Sequence, residues 1–333
     1  EGNAETTMDI PPSKSKGKGG ASFRSGGMKG TLAFREGGKK VDLELRVPSI
    51  SLKTPASEFS LKKLIYRFGS GGGPAGYMFG NSTLNVSKLR LGPDLDIRGL
   101  TLTTKARPKG ANVTTTVDYK VKQIKSGVDE YGPGRLTVVL RKLDAKALQR
   151  FNNKLNQISR RGLPEEQASM MMAAEMMKLV ATLSKKAPEL EVTRLSFKTK
   201  EGELTGEAKV VLDGSNLDIA ANPFLILRGL SGDAELSVPP SMVKAILAPS
   251  IRQDVEAYKR RGVLSPQEAA KLTPAVMSRI VEDAYPSYMA RNGFTKLLVP
   301  DGSVYRITAS FRNGSFLVNG EPVRQPLIQL KAS

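Results

Sequence analysis

The chain has 333 residues and contains no His, no Cys and no Trp. Those three absences decide most of its chemistry. Without histidine there is no Ser-His-Asp or Cys-His machinery and no imidazole-bound metal. Without cysteine there is no disulfide, thiol nucleophile, iron–sulfur cluster or thiolate zinc site. Carboxylates, Lys, Tyr and Ser/Thr remain. Three acidic pairs have the spacing to hold two carboxylates together, as glycoside hydrolysis needs: Asp94 with Asp96, Glu165 with Glu166, and Glu282 with Asp283. Glu165 and Glu166 are already explained by the start of a helix, and each pair is ordinary surface charge. Gly71-Gly72-Gly73-Pro74-Ala75-Gly76 has the G-x-G-x-x-G spacing of a dinucleotide loop. Pro74 interrupts it and no helix opens inside it, so it reads as a loop between strands. The expectation is a protein without catalytic residues, cofactor or metal.

Binding chemistry is better represented. Lys+Arg number 51 against 32 Asp+Glu, a net charge of +19. Residues 1–142 carry 25 basic and 12 acidic residues, and residues 143–333 carry 26 and 20. The first half is therefore the one to meet an anionic partner. Lys146, Arg150 and Lys154 form an i, i+4, i+8 row opposite Leu148, Phe151 and Leu155, and Arg160 and Arg161 extend it. Such a row is a candidate contact for an anionic surface, or a solvated outer face. Met170, Met171, Met172, Met176 and Met177 crowd five of the eleven methionines into eight residues. Met170, Met172, Met176 and Met177 are the candidate lining of an adaptable apolar groove; the alternative is a core helix filling irregular space.

The elements that must position these residues are mostly strands. Val41, Leu43, Leu45 and Val47 alternate with polar residues, as do Val113 to Val121 and Leu136 to Leu140. Period-two alternation means antiparallel sheet with one packed and one wet face. Residues 1–20 read as a disordered tail. Residues 21–187 read as a β-meander followed by a helical pair, with Asp144 capping the first helix, Gly162 ending it and Pro164 opening the second. Residues 188–333 read as a second meander, a helical segment and a C-terminal hairpin. In that half, Leu217 and Ile219 are expected in a strand, and helical patterns are expected at Ser241–Leu247, 250–261 and 274–292. Ser265 is expected to cap a short helix at 266–272. Gly134–Phe151 and Gly232–Leu247 share the order strand, then amphipathic helix, which suggests two repeats. The fold class is α+β: elongated antiparallel sheets partly covered by amphipathic helices. Residues 249–308 also have the layout of a winged helix, with Arg279, Arg291, Lys296 and Arg306 as its basic contacts, although that segment is close to charge balance.

The strings Asn222–Pro239, Leu264-Ser265-Pro266-Gln267-Glu268 and Tyr305–Val323, the last ending in Asn319-Gly320-Glu321-Pro322-Val323, resemble the YdgA-like family of bacterial proteins of unassigned function. The resemblance implies an inner-membrane anchor upstream of this chain and a body facing the periplasm. It carries no catalytic residues. The resulting expectation is a non-enzymatic envelope protein that binds an apolar or anionic ligand such as membrane lipid in a sheet/helix groove. A protein–protein envelope scaffold is the first alternative, and nucleic-acid binding through 249–308 the second.

Overall fold

In the computed structural model, residues 2–72, 78–219, 221–262, 267 and 271–323 are described. Most of the expected helix at 266–272 and most of the Gly71–Gly76 loop lie outside them, but Gly71 and Gly72 end a strand.

The alternating segments become one antiparallel sheet. Its first strands are β1 (Ala4–Ile10), β2 (Ser13–Lys16), β3 (Ser22–Ser25), β4 (Met28–Arg35) and β5 (Lys40–Lys53). Then come β6 (Glu58–Gly72), β7 (Met78–Leu91), β8 (Leu95–Lys109), β9 (Asn112–Val121), β10 (Gln123–Ser126), β11 (Asp129–Tyr131) and β12 (Gly134–Asp144). After a pair of helices the sheet resumes as β13 (Glu189–Thr199), β14 (Gly202–Leu212) and β15 (Leu230–Val238), and after further helices as β16 (Val299–Asp301), β17 (Val304–Arg312), β18 (Ser315–Val318) and β19 (Glu321–Pro322). The strands pair in the order β1, β4, β5, β6, β7, β8, β9, β12, β13, β14, β15, β17, β18. Almost every strand therefore lies beside its neighbour in sequence. The β12–β13 pairing carries the sheet across residue 187, where the sequence suggested a boundary.

The N-terminal stretch differs from the expected tail. β1 pairs with β4 from Ala4↔Phe34 to Ile10↔Met28, and β2 pairs with β3. All seven β1 residues are exposed. Ladder hydrogen bonds, not burial, hold this strand, which satisfies backbone groups that β4 would otherwise leave open as an edge. Low apolar content made the segment look like a tail; it does not forbid an edge strand.

The helices are α1 (Ala145–Arg160), α2 (Glu165–Ser184), α3 (Ile226–Gly229), α4 (Pro240–Arg260), α5 (Pro274–Arg291) and α6 (Phe294–Leu297). Asp144 Oδ1 accepts the Ala147 amide at 2.7 Å, so it caps α1, and Gly162 turns the chain at φ +61°. Pro249 lies inside α4 and does not divide it. A proline removes one ladder hydrogen bond, and the turns on either side continue here despite it. The expected strand at 217–219 is irregular. Asp213 and Asp218 accept the amides of Ser215 and Ala221, and these local bonds compete with a ladder, while Ile219 is buried.

One core cluster joins Val238, Met242, Val243, Met289 and Leu298, with Leu204, Leu236, Tyr305 and Ile307 packed against it. It sets α4 and α5 on the β14–β15–β17 end of the sheet. A smaller cluster sets Ala145 and Leu148 of α1 against Phe79, Val113 and Ala106. The accessible surface is 21728 Å². A compact chain of this mass would expose about 13,000 Å². Much of the sheet is therefore left open.

Candidate functional site

Partners in an antiparallel register share a face. The registers collect the apolar positions of many strands into rows. One row reads Met8, Gly30, Leu45, Tyr66, Leu84, Leu102, Tyr119, Leu136, Leu195, Gly206, Leu236, Ile307. The next, two residues along each strand, reads Thr6, Leu32, Leu43, Phe68, Ser82, Thr104, Val117, Val138, Val192, Ala208, Ala234, Ala309, Val318. Beyond it runs Ala106, Thr115, Leu140, Leu190, Val210, Gly232, Phe311, Phe316. At about 4.8 Å per strand the first two rows extend for roughly 50 Å and the third for roughly 35 Å. The glycines fit the packing. A Cβ on Gly30 would lie 2.8 Å from Leu45 Cδ2, and one on Gly206 3.0 Å from Leu236 Cδ1, because the neighbouring leucines lean over them.

This apolar face is only partly covered. The α4/α5 cluster takes the Leu236 and Ile307 end. Met8, Phe34, Tyr119, Leu190, Val210 and Phe316 stay exposed, with Tyr119 43% accessible. Where the second row narrows to Ala208, Ala234 and Ala309, the face hollows into a cavity of about 370 Å³. Val210, Leu227, Leu230, Phe311 and Phe316 wall it, and Gly232 is on its floor. Leu227, on α3, is itself exposed.

The opposite face is charged and internally neutralised. Asp118 receives Arg135 at 2.8 Å, Thr137 at 2.8 Å and Lys120 at 3.0 Å. Burial pushes its carboxyl up, but these hydrogen bonds and the Arg135 charge outweigh it and hold the pKa at about 2. Asp96 is buried among Lys88 (2.7 Å), Arg98 (3.3 Å) and Arg90 (3.5 Å). Burial raises its pKa, and the bonds from Lys88 and Arg98 win and lower it. A cleft of about 610 Å³ on this face is lined by Glu191, Glu207, Lys209, Asp233 and Glu235 among others. Lys209 reaches Glu191, Arg312 reaches Asp233 and Arg306 reaches Glu235, at 3.5, 2.7 and 3.3 Å. These carboxylates serve as ion-pair partners.

The residues singled out from sequence fall apart in space. Asp94 is exposed in the β7–β8 turn while Asp96 is buried, so they form no working pair. Glu165 and Glu166 occupy the first turn of α2, and Glu282 pairs with Lys244. Lys146, Arg150, Lys154, Arg160 and Arg161 are all exposed on or just after α1, while Phe151 and Leu155 are half-buried. Arg150 and Lys154 border a groove against Glu175 and Lys178 of α2. Met170, Met172 and Met176 are exposed and Met177 is half-buried. None of these methionines lines the cavities described above. In the winged-helix segment the hairpin strand β17 is paired to β15 inside the sheet. Arg291 is bound to Asp254, and Arg306 to Glu235 and Asp301. That hairpin is architecture, and two of its four basic residues are neutralised.

Comparison with known families adds one finding. The family described as "Bacterial protein of unknown function (DUF945)" matches residues 1–326. The chain belongs to this family. The YdgA-like resemblance agrees with it at the level of a bacterial family without assigned function. No curated protein and no solved structure matches the chain. Sequence reading missed the apolar face as a site. Its signal lay in the alternating strands, which were counted as core because a packed face and an open face have the same pattern.

Proposed function

We propose that this DUF945 chain is a non-enzymatic lipid-binding protein that holds acyl chains along the open apolar face of its sheet. One observation carries the reading: apolar rows run across the strands for roughly 50 Å and, away from α4 and α5, stay half-buried, with Met8, Tyr119, Leu190, Val210 and Phe316 exposed. Uncovered apolar surface on this scale marks a binding surface. Acyl chains fit it best, because the first two rows offer few hydrogen-bonding side chains to fix a partner's register; Ser82 and Thr104 are among them. The cavity at Val210, Leu227 and Phe316 would take the end of a chain. A location in the bacterial envelope, facing the periplasm, is the setting that the YdgA-like resemblance implies and in which such a ligand is at hand.

The scaffold reading has one supporting observation: Met170, Met172 and Met176 expose an adaptable apolar surface on α2. Native mass spectrometry and solvent extraction of the purified chain separate the two. Co-purifying lipid, or saturable uptake of a fluorescent fatty acid, is expected; a lipid-free chain that takes up no fatty acid would favour the scaffold.

A further inference from the structure

Part of the excess positive charge of the first half lines up across the strands beside the β5–β6 and β7–β8 turns. The registers give two adjacent rows there. One reads Lys14, Arg24, Ser51, Ser60, Arg90, Asp96, Lys125, Glu130. The other reads Ser49, Lys62, Lys88, Arg98, Gln123. Lys62, Lys88 and Arg98 are direct cross-strand neighbours, an arrangement that repels unless something neutralises it. Among the described residues of these rows, Asp96 and Glu130 are the only acids. Asp96 is shared by Lys88, Arg90 and Arg98, and Glu130 is taken by Lys125 and Gln123. Lys14, Arg24 and Lys62 are exposed and have no acidic partner among the described residues. The side chains of Ser51 and Ser60 stand between Arg24 and Arg90 on the same row.

We infer that this patch docks the protein on an anionic bilayer, with lipid phosphates placed against Arg24, Lys62 and Arg90 and the hydroxyls of Ser51 and Ser60. The charge of the patch favours an anionic occupant. Its form selects a surface: the cations lie on a sheet face, and the cavities described above are elsewhere. No aromatic side chain stands in either row, so there is no platform for unpaired bases to stack on, and among the described residues no α-helix lies within these rows to enter a duplex groove. Asp96 holds Lys88, Arg90 and Arg98 in place as a buried counter-charge. The inference rests on residues other than the apolar rows assigned to acyl-chain binding.

The test is flotation of the full chain with vesicles of phosphatidylcholine alone or with 30% phosphatidylglycerol. Binding is expected only to the anionic vesicles and should weaken with salt. The variant Arg24→Gln/Lys62→Gln/Arg90→Gln should bind about a hundredfold less, at about 1 kcal/mol per basic residue near the surface. It should keep the parent's melting temperature within a few degrees and still take up a free fluorescent fatty acid, so that loss of docking is told apart from loss of the apolar site. Lys146→Gln/Arg150→Gln/Lys154→Gln on α1 should bind vesicles like the parent. The inference is overturned if the parent binds both vesicle types equally or neither. It is overturned equally if the α1 variant, not the sheet variant, loses binding, or if a DNA duplex competes the protein off the vesicles at matched phosphate.

Discussion

The two halves of the sheet solve the same problem differently. At the Leu236 and Ile307 end of β14, β15 and β17 the apolar positions are closed over by α4 and α5, giving the cluster of Val238, Met242, Val243, Met289 and Leu298. From β1 to β12 the same alternation runs on, but α1 touches the face only near Val113 and Ala106. Apolar surface under a helix is stabilising; apolar surface left in water costs solubility and persists where something else covers it. The difference teaches that the periodicity of a strand reports which side is apolar and says nothing about what occupies that side.

The comparison breaks if the two regions respond alike to truncation. Met289→Ala in the covered region should cost about 2–5 kcal/mol, the range for a buried side chain. Tyr119→Ala on the open face should cost less than about 1 kcal/mol. Urea denaturation measures both, and equal losses would mean that the open face is packed in solution.

The charged side of the first half adds a pH dependence. Asp118 is depressed from 3.8 to about 2 by Arg135, Thr137 and Lys120, against the upward pull of burial. A carboxylate with a lowered folded pKa contributes stability that is fully present above the unfolded value and is lost as pH falls through the folded one. The chain should therefore lose about 2 kcal/mol from this group between pH 4 and pH 2. Asp118→Asn should flatten that limb of the stability profile, read by thermal melts across the acid range.

On α1, Phe151 is half-buried against α2. Phe151→Ala should cost about 2 kcal/mol, below the range for a fully buried phenylalanine. A larger loss would place the α1–α2 hairpin with the covered core. The smallest effect concerns β1. Deleting residues 2–10 should raise amide exchange along Met28–Phe34, whose ladder partner is gone, and leave exchange in α4 and α5 unchanged. Unchanged exchange at Met28–Phe34 would mean that β1 is unpaired in solution.

The sequence made the meander legible because each strand pairs with its neighbour, so turn residues and alternation suffice. Asp144 and Gly162 likewise announced the limits of α1. Three things were hidden. β1 is held by backbone bonds, which composition does not record. The loop at 213–219 follows from Asp213 and Asp218 capping local turns, so the apolar pair Leu217 and Ile219 misled. The candidate face is assembled from two or three residues of each of thirteen strands, and no local motif encodes such a set. The paired carboxylates and the methionine run were local and visible; the structure places Asp94 in a turn, Asp96 and Glu282 in ion pairs, and the methionines on an exposed or half-buried helix surface.

The most direct test of acyl-chain binding is a fluorescent fatty-acid titration of the parent and of Val210→Glu/Phe316→Glu. Both positions are exposed walls of the apolar cavity, so the variant should fold with a melting temperature within a few degrees of the parent. Charges placed against an apolar chain should weaken its binding roughly tenfold or more. Undiminished affinity in a folded variant, or no saturable binding by the parent, would contradict the assignment of this face to lipid.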